Sequence, residues 1–215
     1  MKKINIDDTI YPERLRNIPN PPKSLYLEGN LSLLNNDIIS IIGSRCCSEN
    51  GVNITKKFAS LLSACGITIA SGLAIGIDSV AHLHSYENIG RTIAVLGNGF
   101  YHIFPEENIP LYNKILENDG LIISEYPPNT KCKSKYFLER NRIVSGISLG
   151  ILVIEAAHRS GTSVTAKLAY SQNRKVFAIP HEIWDFHGVG TNKLIKEGTN
   201  VVTCPEDILN NLNLN

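Results

Sequence analysis

The sequence contains no long hydrophobic run. No apolar stretch approaches the roughly 20 residues that a membrane-spanning helix requires, and Met1-Lys2-Lys3 is followed by polar residues rather than by the apolar segment of a signal peptide. We therefore predict a cytoplasmic protein that has no contact with a membrane.

Patterns typical of catalytic and metal sites are also missing. The sequence has no HExxH motif, no nucleophile elbow, no Walker motif and no full GxGxxG, and its five cysteines follow no metal-ligand spacing. Glu125 and Glu155 each follow an apolar run, where they could form an acid–base pair, although holding loop amides is the commoner role of such residues. We predict reduced thiols, no catalytic residue, no metal and no cofactor.

The net charge of +1 excludes a general polycation, but the charge is unevenly distributed. Residues 131–142, which we call the basic strip, contain five Lys or Arg against a single Glu. A local basic patch in a neutral chain indicates one binding face for an anionic partner, or else a solvated loop.

Apolar runs alternate with helical patterns along the chain. The runs at 38–42, 67–70, 92–96, 121–123, 150–154, 176–179 and 200–202 are typical of strands buried on both faces of a parallel sheet. Ser48 and Gly66 have the residue types of a start and a stop for the first long helix. We predict an α/β fold with an extended Rossmann-like, doubly wound, mostly parallel sheet, helices on both faces and right-handed crossovers. Residues 1–35 are expected to be a lead-in packed on this core, and residues 36–212 the Rossmann-like domain.

Four turns that follow apolar runs carry small or glycine residues. They lie at 43–45, 71–78, 97–99 and 160–163. Glycine lets peptide N–H groups approach a phosphate, and a helix N-terminus adds a favourable dipole. Taken singly, the turn at 43–45 is equally well explained as a plain helix entry, Asp78 is better explained as a helix cap than as a ribose ligand, and the turn at 97–99 can be a tight turn only. The turn at 160–163 supplies hydroxyls and free amides at a helix start and is a fair anion site on its own. Ligands of open α/β sheets nevertheless collect at the carboxyl ends of the strands, where all four turns are expected.

The basic strip combines cations with aromatic rings. Lysine and arginine neutralise phosphates, while a ring such as that of Phe137 stacks on an unpaired base. The alternative is that Phe137 anchors a helix in the core. We predict that nucleic acid is bound by residues from two of the turns and from the strip, namely Gly43, Ser44, Arg45, Lys133, Lys135, Phe137, Arg140, Asn141, Arg142, Ser160, Gly161 and Thr162.

An ordered set of motifs resembles the DprA/Smf family. The set comprises IGSR at 42–45, SGLAIGID at 71–78, TIAVLG at 92–97, FPEEN at 104–108, SEYPP at 124–128, RNR at 140–142, EAAHRSG at 155–161 and GTNKLI at 190–195. The lead-in also matches, at Tyr11-Pro12 and at PKSLYLEG (22–29). The resemblance covers about residues 11–209 and is specific as a set.

The resemblance implies a non-enzymatic DNA-processing protein that protects single-stranded DNA, forms a homodimer and helps to load the RecA recombinase in natural transformation. It implies a DNA pocket at Arg45, Lys135, Phe137, Arg140 and Arg142, extended by Ser160–Thr162. Two departures stand out. Leu138-Glu139 replaces a proline and a basic residue, which lowers the positive charge of the pocket, and His181 replaces a glycine. No separate helical N-terminal domain or C-terminal winged helix is expected in this sequence.

Two other classes stay open. One is a nucleotide-cleaving hydrolase of the lysine-decarboxylase-like group. The PGGxGTxxE loop of that group would correspond to the segment from Glu155 to Ser163, which reads EAAHRSGTS and lacks the glutamate of the motif. The other is a sensor that binds a small nucleotide in the Rossmann pocket.

Overall fold

A nine-stranded mixed sheet forms the centre of the computed structural model, which describes residues 1–157 and 160–214. The strands are β1 (Lys2–Asn5), β2 (Ser24–Gly29), β3 (Ile38–Ile42), β4 (Thr68–Ser71), β5 (Thr92–Leu96), β6 (Leu121–Ser124), β7 (Gly150–Val153), β8 (Lys175–Ala178) and β9 (Asn200–Val201). Their order is β1-β2-β6-β5-β4-β3-β7-β8-β9, and the seven strands from β3 to β9 are parallel. The Rossmann-like prediction is confirmed, and each of the seven apolar runs forms a strand.

Eight α-helices accompany this sheet in the described part of the chain. They are α1 (Glu13–Arg16), α2 (Glu49–Ala64), α3 (Ile77–Leu83), α4 (Ile109–Glu117), α5 (Ser134–Gly146), α6 (Gly161–Ser171), α7 (Val189–Lys196) and α8 (Pro205–Leu212). Short 3₁₀ helices cover Leu31–Asn35, Glu106–Asn108 and Phe186–Gly188. None of the helices within residues 1–157 and 160–214 is long and apolar enough to cross a membrane.

The N-terminal segment contributes two strands that the sequence analysis did not find. β2 pairs antiparallel with β6, with Tyr26 opposite Ser124, and β1 pairs antiparallel with β2. The apolar-run criterion missed them because β1 buries only Ile4 and β2 alternates, burying Leu25 and Leu27 but not its other residues. Both strands extend the sheet on the side of β6, away from β7 and β8.

Helix α2 begins and ends where the sequence predicts. The side chain of Ser48 accepts a hydrogen bond from the amide of Gly51 (2.9 Å), and Gly66 follows the helix with φ = +85°, a conformation that favours glycine. Glu155, fully buried after β7, accepts hydrogen bonds from the amide (3.1 Å) and the hydroxyl of Ser48. The expectation that this strand-end glutamate holds a loop amide is confirmed, and its carboxylate ties β7 to the start of α2.

Replacing Glu155 with alanine should lower the free energy of unfolding by about 1–3 kcal/mol, because two donors of Ser48 lose their buried acceptor. Urea denaturation measures this change. Glu117→Ala is the matched control, since Glu117 is exposed in the last turn of α4 and its loss should change stability by less than about 0.5 kcal/mol. Equal losses in the two variants would show that the bonds to Ser48 contribute nothing specific.

Candidate nucleic-acid interface

An open cavity of about 810 Å³ lies at the carboxyl ends of β3, β4 and β7. The turn after β3 forms one wall, α5 forms another, and the first turn of α6 closes the side next to β7. Ten of the twelve residues predicted to bind nucleic acid line it: Gly43, Ser44, Arg45, Lys133, Phe137, Arg140, Asn141, Ser160, Gly161 and Thr162. Lys135 and Arg142 do not.

Arg140 forms the floor of the cavity and is 4% exposed. Its Nη1 donates to the carbonyl of Val95 (3.0 Å) at the end of β5, and within the described residues its Nε has no hydrogen-bond partner. Gly72 makes this position possible, because a Cβ on Gly72 would lie 1.5 Å from Nη1 of Arg140. Arginine stays protonated in proteins, so the floor carries a positive charge.

Asp78 is the carboxylate beside that charge. It was expected to cap a helix or to bind a ribose, but it accepts a hydrogen bond from the amide of Gly72 (3.1 Å), while α3 begins after Gly76 without a side-chain cap. The capping expectation is therefore wrong. Burial raises the pKa of the Asp78 carboxyl and lowers that of the Arg140 guanidinium, and the attraction between the two opposes both shifts.

Phe137 sits between the core and the cavity. Its ring packs close to Gly97, where a Cβ would lie 2.7 Å from Cδ1 of Phe137, and the centroid of the Phe104 ring is 5.6 Å from that of Phe137, with the two planes at 44°. The guanidinium carbon of the exposed Arg45 lies 6.0 Å from the centroid of Phe137, within cation–π range. A half-buried ring and an exposed cation thus share the rim, so Phe137 is both anchored in the fold and exposed to the cavity.

The first turn of α6 faces the turn after β3. The Oγ of Ser160 accepts a hydrogen bond from the amide of Ser163 (3.3 Å), and the hydroxyl of Thr162 donates to the carbonyl of Gly43 (3.1 Å). The N-terminus of this 11-residue helix, with its positive dipole end, therefore opens into the cavity. His158 and Arg159, which belong to the EAAHRSG motif, lie outside the described residues.

Arg142 is bound inside the protein rather than in the cavity. Its two terminal nitrogens donate to the carboxylate of Glu125 at 2.8 and 2.7 Å, and its Nε donates to the carbonyl of Asn20 (3.0 Å). The expectation that Glu125 holds loop amides is wrong, because its carboxylate takes this guanidinium instead. Lys135 lies on the outer side of α5, with its amine 5.4 Å from the Tyr136 ring.

Leu138 and Glu139, which depart from the family pattern, lie in two different environments. Leu138 is 52% exposed and lines the cavity, whereas the carboxylate of Glu139 accepts a hydrogen bond from the Tyr126 hydroxyl (2.7 Å). Burial and that carboxylate raise the pKa of Tyr126. The negative charge of Glu139 is thus drawn to Tyr126, and an apolar side chain stands at the cavity wall.

Sequence reasoning missed Gly72 and Phe104 as parts of the site. Gly72 lies in the 71–78 turn, whose glycines were expected to let amides approach a phosphate, and Phe104 belongs to the FPEEN motif, but neither was placed among the predicted binding residues. Gly72 shapes the floor by leaving room for Arg140, and Phe104 supports Phe137. No local pattern reveals these roles, since each depends on α5 crossing the strand ends.

The fold and the cavity define a Rossmann-like protein with a positively charged, partly aromatic cleft at the carboxyl edge of its sheet. Residues 2–213 match the family model described as DNA recombination-mediator protein A. The chain is 43% identical over 209 residues to Protein Smf of Escherichia coli, an alignment that covers 97% of this chain and 56% of that protein.

Two solved structures are also similar. DNA processing protein A from Streptococcus pneumoniae superposes with a TM-score of 0.92 and 38% identity, covering 97% of this chain and 73% of that one. The protein from Helicobacter pylori, whose single-stranded DNA binding mode has been described, gives a TM-score of 0.88 and 27% identity, covering 98% and 95%. The chain belongs to the DNA recombination-mediator protein A (DprA/Smf) family. It spans little more than half the length of the Escherichia coli relative.

Proposed function

We propose that this protein binds single-stranded DNA in the cavity at the carboxyl edge of its sheet, and that it acts in the cytoplasm as a DNA-processing protein that protects the strand during natural transformation and recombination. The observation that carries the proposal is the meeting of Arg45, the Phe137 ring and the N-terminus of α6 around one open cavity. Cations and a helix N-terminus suit phosphates, and the ring suits an unpaired base.

Single strands fit this site better than a duplex. Stacking on a ring requires a base whose face is free, and in a duplex that face is covered by its neighbours. The described residues present the ring at the cavity rim rather than a helix shaped to enter a groove. The Helicobacter pylori protein, which shares this fold, is described as binding single-stranded DNA.

Binding without catalysis is the function that the lining supports best. Among the cavity-lining residues in the described part of the chain, Asp78 is the one acid, and it is held by the Gly72 amide beside Arg140. The nearby Glu155 is occupied by Ser48. Neither carboxylate is free to activate water on a bound nucleotide, so we favour a DNA-binding protein over the nucleotide-cleaving hydrolase.

Arg45→Ala should remove about one phosphate contact. The slope of log affinity against log salt for a thymine oligonucleotide should then become shallower by ~0.7. Fluorescence anisotropy at several salt concentrations measures this slope, and the recovered oligonucleotide should keep its length. An equal or stronger affinity for duplex DNA in competition would contradict the proposal.

Arg142→Ala is the matched control for this experiment. Arg142 is an arginine of the same basic strip, but its guanidinium is engaged by Glu125, so its loss should leave the salt slope unchanged. Melting temperatures must first show that both variants are folded. A shallower slope in Arg142→Ala with an unchanged slope in Arg45→Ala would place the phosphate contact outside the cavity.

Phe137→Ala should weaken binding by about 1–3 kcal/mol if a base stacks on the ring, with little change in salt slope. Because the ring also packs at Gly97 and beside Phe104, a second variant, Phe137→Leu, keeps an apolar side chain there and removes only the aromatic face. Both variants should remain folded and bind the oligonucleotide more weakly than the wild type. Normal affinity of a folded Phe137→Leu would show that the ring serves only the core.

We also propose a homodimer that delivers its DNA to RecA, on the basis of family membership. A single cavity contacts few nucleotides, so two cavities on one strand would raise the avidity. Light scattering at tens of micromolar should give the mass of two chains, and the protein should speed the assembly of RecA on single-stranded DNA. A monomeric mass with and without DNA, or no effect on RecA, would contradict the respective part.

A further inference from the structure

The loop after β8 exposes three large apolar side chains to solvent. We call residues 182–189 the aromatic loop. Within it Ile183 is 79% exposed, Trp184 is 89% exposed and Phe186 is 69% exposed. Single exposed apolar residues are common, but three within four positions of one loop, two of them aromatic, are the kind of surface that binds a partner.

The loop is held in place by an internal network. The carboxylate of Asp185 accepts the amide of His187 (2.9 Å) and contacts Nδ1 of both His181 and His187 at 3.1 Å. The Nε2 of His181 in turn donates to the carbonyl of Ile154 (2.8 Å), which follows β7. The exposed rings therefore project from a fixed backbone.

The same loop is joined to the edge of the cavity. The amide of Ala156 donates to the carbonyl of His187 (2.9 Å), and the next residue along the chain, Ala157, lines the cavity. β8 lies beside β7 in a parallel pair, so the segments that follow these strands emerge at the same edge of the sheet, about 4.8 Å apart. The loop is the next feature along this edge after the N-terminus of α6.

The chemistry of the loop suits bases rather than phosphates. Its carboxylates are the exposed Glu182 and Asp185, and the latter is shared between two histidines, so the loop offers no net attraction to a phosphate. The centroids of the Phe186 and His187 rings are 3.9 Å apart, so His187 covers one side of Phe186 and the other side is exposed. Tryptophan and phenylalanine rings stack on unpaired bases of any sequence.

We propose that Trp184 and Phe186 form a second base-stacking platform for single-stranded DNA that leaves the cavity past the N-terminus of α6. This inference rests on the proposed function, because it assigns a path to the strand that the cavity holds. It adds a contact that lies outside the cavity and contributes stacking but little electrostatic attraction.

The protein carries its own probe, since Trp184 is the only tryptophan of the chain. Its emission is followed while thymine oligonucleotides of about 4 to about 16 residues are added, and binding is monitored separately by anisotropy of a labelled oligonucleotide. The shortest oligonucleotides fill the cavity and leave the emission unchanged. Longer ones reach the loop and quench it.

Substitutions test the energetic contribution. Trp184→Ala and Phe186→Ala should each weaken binding of the longer oligonucleotides about 5- to 150-fold, with no effect on the shortest ones and no change in salt slope. Trp184→Phe keeps a ring and should retain most of the affinity. Ile89→Ala is the matched control, since Ile89 is 77% exposed but precedes β5 at the opposite edge of the sheet.

The outcomes separate the two proposals. Length-dependent quenching with length-dependent loss of affinity supports the platform. Oligonucleotides that bind without quenching, and equally well to Trp184→Ala, overturn the platform and leave DNA binding in the cavity intact. A Trp184→Ala variant that changes the mass in light scattering but not the length dependence overturns it in favour of a contact between two copies. No binding by the wild-type chain removes the proposed function and the platform together.

Discussion

Burial of the Arg140 guanidinium is the constraint on which the cavity depends. A charged group leaves water at a cost that partners must offset, and here the Val95 carbonyl accepts a hydrogen bond from the guanidinium and the charge of the neighbouring Asp78 attracts it. Position 72 requires glycine, because no side chain fits between the turn after β4 and the guanidinium. The helix that carries Arg140 is thereby fixed across the ends of β4 and β5. The floor of the cavity is charged because these contacts hold the Arg140 guanidinium there.

Once Arg140 is fixed, the helical repeat decides what else faces the cavity. Side chains three or four positions apart share a helix face, so Phe137, three residues earlier, and Val144, four residues later, line the same cavity. Lys135 and Arg142 are seven residues apart and share another face, which is turned away from it. The RNR motif therefore contains two arginines with different surroundings, one in the floor and one held by Glu125.

The sequence shows which residues of a helix share a face, but not which face is turned to the cavity. The apolar runs predicted the parallel strands because burial on both faces leaves a local signature, whereas β2, with its alternating pattern, left a weaker one. For α5, spacing alone could have shown that Lys135 and Arg142 lie on a different helix face from Phe137. It could not have shown which of the two faces is turned to the cavity. That choice depends on the long-range contact between Arg140 and Val95. The partner of Glu125 and the role of Asp78 escaped prediction for the same reason, since both are set by tertiary neighbours.

The carboxyl edge of the sheet separates two kinds of contact. Around β3 and β4, the cations and the N-terminus of α6 surround a cavity in which a phosphate would be attracted at long range and lose that attraction in salt. After β8 the edge carries exposed rings in a loop that has two carboxylates and no Lys or Arg, and contacts with the rings would be short-ranged and insensitive to salt. His181 connects the two regions, because its imidazole joins Asp185 to the Ile154 carbonyl at the end of β7. A glycine at position 181 would lack that link and leave the loop without this anchor.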